Sequence, residues 1–67
     1  MSPRRFATVL RTLRERQDIT QEQLARRAKV ARSYVAPIES GRKKNPSLDI
    51  VKRLARALGV SVGGLLK

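Results

Sequence analysis

Sixty-seven residues, with no Cys and no His, make one domain (1–67) with a small core and no disulfide or ordinary zinc site. Sixteen Lys and Arg against five Asp and Glu give a net charge of +11 and a pI of about 11.8. That balance calls for a polyanionic partner, nucleic acid first and an anionic membrane surface second, and the few scattered carboxylates argue against an enzyme and against any cofactor.

The first helix is predicted from about Arg4 to Gln17, with Ser2 as N-cap and Pro3 at the first helical position. Phe6, Val9, Leu10 and Leu13 recur at helical spacing. No long apolar stretch follows Arg4 and Arg5, so this is an ordinary helix and not a leader. No apolar run approaches the ~20 residues that cross a bilayer, and a cytoplasmic, nucleoid-associated location follows by default. Asp18 ends the helix, being a residue that tolerates a left-handed backbone.

Gln21 to Ala28 is the second helix. Thr20 caps it, Gln23 closes a capping box, and Ile19 with Leu24 form a hydrophobic staple. The turn falls near Lys29, Val30 and Ala31. The third helix runs from Arg32 to Ser40, with Val35 and Ile38 inward and Arg32, Ser33 and Ala36 outward. Gly41 suits its C-terminal end, and a basic loop runs from Arg42 to Pro46.

Ser47 caps a fourth helix, Leu48 to Leu58, with Asp49 near its positive end and Gly59 as its stop. Lys52, Arg53 and Arg56 form its polar face. Ser61 starts a short fifth helix through Leu66, weakened by Gly63 and Gly64. The expected fold is all-α, a compact bundle of about five short helices. The expected core is Phe6, Leu10, Leu13, Ile19, Leu24, Ala28, Val30, Val35, Ile38, Leu48, Val51, Leu54 and Leu58.

Two short helices joined by a tight turn, the second with a polar outer face, form a helix-turn-helix arrangement. An α-helix fits the major groove of B-DNA and presents side chains to base edges. The segments LRTLRERQDITQEQLARRAKV, SYV, IESG and NPSLDIVKRLARALGVS, in this order and spacing, resemble the phage-repressor and Cro type of helix-turn-helix regulator. The likeness covers about residues 6–66.

The resemblance implies a role for particular residues. Arg32, Ser33 and Ala36 stand at base-reading positions. Gln21, Tyr34, Arg42, Lys43, Lys44 and Asn45 stand at or beside phosphate-binding ones, although Tyr34 fits the core edge equally well. Arg14 and Glu39 match a buried ion pair whose role is structural.

Three residues depart from the pattern. Pro37 lies inside the recognition helix, where related proteins often place a long polar side chain; it lacks an N–H and clashes with the carbonyl of Ser33. The helix then kinks and continues, ends near Val35, or reads DNA weakly; a kink with the fold kept is expected, because Val35 and Ile38 anchor both sides. Ala31 forgoes a side-chain cap. Lys29 stands where glycine often makes the turn, so the turn carries strain.

The expected function is a transcriptional regulator that binds double-stranded DNA as a homodimer on an inverted repeat. Val60, Val62, Leu65 and Leu66 are the expected dimer interface. Two alternatives stay open: an antitoxin-type module of the same fold that inhibits a protein partner, and a non-specific nucleic-acid binder. RNA recognition lacks support, because Phe6 and Tyr34 are the only aromatic residues and stacking platforms need more.

Overall fold

The computed structural model describes residues 3–43 and 46–66, with side chains from Arg5 onward. The expected cap Ser2 and the loop residues Lys44 and Asn45 lie outside the described residues. The described residues form five helices: α1 (Pro3–Arg16), α2 (Gln21–Ala28), α3 (Arg32–Glu39), α4 (Leu48–Leu58) and α5 (Val62–Leu66). The predicted elements are all present, with boundaries shifted by a residue at the ends of α1 and α3.

Three of the helices end in the same way. Asp18, Lys29 and Gly59 each take a left-handed backbone, with φ of 55°, 57° and 72°. At each, the following N–H reaches back to the helix: Ile19 to Arg14 O (3.4 Å), Val30 to Ala25 O (3.0 Å) and Val60 to Ala55 O (3.0 Å). The left-handed residue closes the inner bond, as Asp18 does to Glu15 O (3.0 Å). This is the Schellman closure, with an apolar residue directly after the turn in every case. Only Gly59 adopts it without steric cost; at Lys29 the turn carries the expected strain.

The helix starts differ. Thr20 Oγ1 accepts from Gln23 N (3.0 Å), and Gln23 Oε1 accepts from Thr20 N (2.8 Å), so both bonds of the capping box form. Ser47 Oγ accepts from Ile50 N (3.2 Å), and Ser61 Oγ from Gly64 N (2.9 Å). Ala31 gives α3 no side-chain cap. Even so, α3 runs through Pro37 without a break, and at its end the C-cap Ser40 N donates to Ala36 O (3.0 Å). Pro37 leaves the Ser33 carbonyl without its usual helical donor.

The helices pack α2 against α3 and α4, α1 against α3 and α5, and α4 against α5. Phe6, Leu10, Leu24, Val35, Ile38, Leu54 and Leu65 are the largest fully buried side chains. Ala25, Ala28 and Ala55 belong to the same buried cluster.

Three expectations about the core need correction. Leu48 is 58% exposed, because the first residue of α4 projects beyond the helices it packs on. Leu13 and Val30 are only half-buried, at the core's edge. Leu65, expected at a dimer interface, is fully buried at 0% exposure. Its side chain is used inside the chain, where α5 closes over α1 and α4.

Candidate nucleic-acid interface

The site is built on α3 and the start of α2. Val35 and Ile38, at 0% and 1% exposure, fix one side of α3 to the core. Helical geometry then turns Arg32, Ser33, Ala36 and Ser40 outward, all exposed, with Pro37 half-buried beside them. A groove runs between this face and α2, lined by Arg14, Thr20, Gln21, Glu22, Arg32, Ser33 and Ala36. A second cleft on the other side of α3 is lined by Ser33, Tyr34, Pro37, Arg42 and Lys43. The expected base-reading residues therefore share one surface, flanked by expected phosphate-binding residues on both sides.

Beneath the groove lies a polar network centred on Glu39. Arg14 grips its carboxylate with two nearly parallel bonds, Nε to Oε2 (2.7 Å) and Nη2 to Oε1 (3.0 Å). Arg14 Nη1 also donates to Ile19 O (2.7 Å), tying α1 to the start of the helix pair. The ion pair is well shielded, its side chains 14% and 3% exposed. The hydrogen bond to Glu39 raises the Arg14 pKa above its ordinary value, against the opposing pull of burial. Arg14 is therefore charged throughout the neutral range.

Gln21 belongs to the same network: its Nε2 donates to Glu39 Oε1 (3.1 Å). One amide hydrogen and the amide oxygen remain for a ligand. Sequence reasoning missed this link, although Gln21 and Glu39 were each singled out. The two are separated by 18 positions, and no local pattern joins them. The result places a polar side chain rigidly at the positive end of α2, where anions bind.

Arg32 is held loosely. Its guanidinium is 3.8 Å from Glu22 and 79% exposed, a contact weak enough to exchange for another partner. Tyr34 is half-buried against the core and also lines the second cleft, and Lys43 Nζ lies 4.7 Å from its ring centroid. Lys43 N also donates to Pro37 O (3.1 Å). The loop is thus fastened to the middle of α3, with Lys43 at its rim. Ser40 Oγ donates to Pro37 O (3.0 Å) and accepts from Arg42 N and Nε (both 3.4 Å), which places Arg42 beside the same cleft. Val60, Val62 and Leu66 are half-buried and packed against the core. Among the described residues no group of His, Cys, Asp or Glu could hold a metal. Among them, no helix is long and apolar enough to cross a membrane.

Comparison with known proteins agrees with this geometry. A helix-turn-helix family model matches residues 10–65. The immunity repressor of Bacillus phage phi105 is 40% identical over 57 residues, covering 85% of this chain and 39% of the repressor. The chain thus spans well under half of that relative's length. An uncharacterised helix-turn-helix transcriptional regulator of Methanothermobacter thermautotrophicus is 44% identical over 52 residues, 78% of this chain and 74% of its own. Among solved structures, the restriction-modification controller protein C.AhdI from Aeromonas hydrophila superposes with a TM-score of 0.88 at 36% identity, covering 94% of both chains. A hypothetical transcription factor from Neisseria gives 0.90 at 34% identity, over 97% of this chain and 74% of that one. Sequence motif, helix geometry and relatives converge: the chain belongs to the helix-turn-helix family of DNA-binding transcriptional regulators, of the phage-repressor type.

Proposed function

We propose that this protein regulates transcription by laying α3 in the major groove of operator DNA, as a homodimer on an inverted repeat. The observation that carries the reading is the exposed stripe of α3 set between two phosphate-binding shoulders. On one side stand Gln21 and the N-terminus of α2; on the other stand Arg42 and Lys43. Arg32 and Ser33, at the leading end of α3, reach base edges, Arg32 being suited to guanine O6 and N7. Lys44 and Asn45, the next two residues in the sequence, are assigned phosphate contacts as well. The phosphate contacts provide affinity and the α3 contacts discrimination.

Dimerisation is proposed through Val60, Val62 and Leu66, with Leu65 supporting them from inside. The molecule measures 24 × 22 × 20 Å. Such a dimer calls for half-sites one helical turn apart, about 34–36 Å.

A second reading, a phosphate binder without sequence preference, is favoured by one observation: Arg32 is the only long side chain on the outer stripe of α3. Selection of bound duplexes from a random pool at about 0.15 M salt, with Arg32→Ala alongside, separates the two. An enriched inverted repeat, blurred at defined positions by Arg32→Ala, supports the regulator. Uniform binding that Arg32→Ala leaves unchanged would replace it with the second reading.

A further inference from the structure

We propose that α3 reads the middle of its site through the 5-methyl group of a pyrimidine, packed against Ala36 and the Pro37 ring, and reads by hydrogen bonds only at its Arg32–Ser33 end. The inference rests on α3 entering the major groove, as proposed above.

The argument starts from what the outer stripe of α3 offers. Arg32 and Ser33 are exposed polar side chains at its leading end. Ala36 and Pro37 follow one turn later, with no polar side-chain atom. Ser40 comes next, but its hydroxyl proton already goes to Pro37 O (3.0 Å). The centre of the reading face is therefore hydrocarbon. Such a surface cannot replace the water on the N7, O6 or N6 of a purine, and burying those atoms without a partner is costly. Among the bases presented in the major groove, thymine alone adds a methyl group. Packing that methyl against Ala36 and Pro37 removes apolar surface from water on both sides.

The surroundings suit this contact. Pro37 shares a cleft with Ser33, Tyr34, Arg42 and Lys43. The Pro37 carbonyl holds Lys43 N (3.1 Å), and the Tyr34 ring holds its ammonium 4.7 Å from the centroid. Cations thus line the rim of the cleft, ready for the phosphate beside the methylated base, while small side chains allow close approach of the helix. Thymine and 5-methylcytosine carry the same methyl and differ at C4, where this face makes no hydrogen bond. The contact accepts both.

The test uses the full chain and a duplex selected from the random pool, with each central thymine replaced by uracil, which removes the methyl alone. Binding should fall about fourfold at one or two positions per half-site, the value of one buried methyl-sized group. At those positions 5-methylcytosine should bind better than cytosine by a similar factor. Pro37→Gln restores the backbone N–H and puts a polar chain at the centre, so it should fold at least as stably and shrink the preference for the methyl. Uracil binding as well as thymine at every position of an enriched motif would overturn this inference and leave the major-groove reading intact. Absence of any enriched motif would overturn both.

Discussion

Helices α2 and α3 are both eight residues long and lie side by side, yet they are specified in opposite ways. Helix α2 is written into local sequence. Its capping box satisfies the donors at its start, and a Schellman closure ends it at Lys29. Helix α3 has no side-chain cap and carries a proline inside. Its conformation comes from what it touches: Val35 and Ile38 in the core, and Glu39 held by Arg14 and Gln21. The contrast teaches how the outer face of a helix stays free to vary. When the inner side supplies the stability, the outer side has little structural duty.

The strongest way to break this contrast is to remove the polar anchor of α3. Glu39→Ala strands a shielded Arg14 and should cost about 3–5 kcal/mol in urea or thermal unfolding. Adding Arg14→Ala should recover part of that loss, because the stranded charge goes with it; a Glu39→Ala cost under about 1 kcal/mol would mean the anchor is unimportant. Next comes the apolar support. Leu65→Ala should cost about 2–5 kcal/mol, and the loss should persist under conditions where the protein is monomeric. A loss that vanishes on dilution would return Leu65 to the interface.

Pro37 sharpens the comparison from the other direction. Pro37→Ala should raise stability by up to about 3 kcal/mol, with the fold unchanged. No gain would show that the surrounding core has relieved the proline's strain already. The smallest effects concern the caps. Thr20→Ala should cost about 1 kcal/mol, whereas Ala31→Ser should gain about as much by giving α3 the cap it lacks. Equal and opposite shifts in melting temperature would confirm that α2 relies on its cap and α3 does without one.

Much of this molecule was legible in advance. Helix periodicity located all five elements, and Thr20, Ser47 and Gly59 marked boundaries through short-range chemistry that depends on residues three or four apart. The left-handed turn at Asp18 was readable from the residue type, and the one at Lys29 from the glycine that similar proteins often place there. The outward face of α3 followed from the inward placement of Val35 and Ile38.

Burial was harder to read. Leu48 fits the apolar pattern of α4 yet lies exposed, because a pattern gives the face of a helix and not how far its neighbours extend. Leu65 looked like surplus surface on a glycine-weakened helix, and only the closing of α5 over α1 and α4 made it core.

The amino-acid sequence by itself determined where the helices fall, the caps at Thr20 and Ser47, the sign of the net charge and the family. These depend on local hydrogen bonds, periodicity and composition. The tertiary structure alone decided that Gln21 shares the carboxylate of Glu39 with Arg14, and that Lys43 rests on Tyr34. It also decided that α3 stays helical through Pro37. Each of these depends on groups from separate segments meeting in space. Their free energy exists only once the core has brought the helices together, so no single stretch of sequence records it.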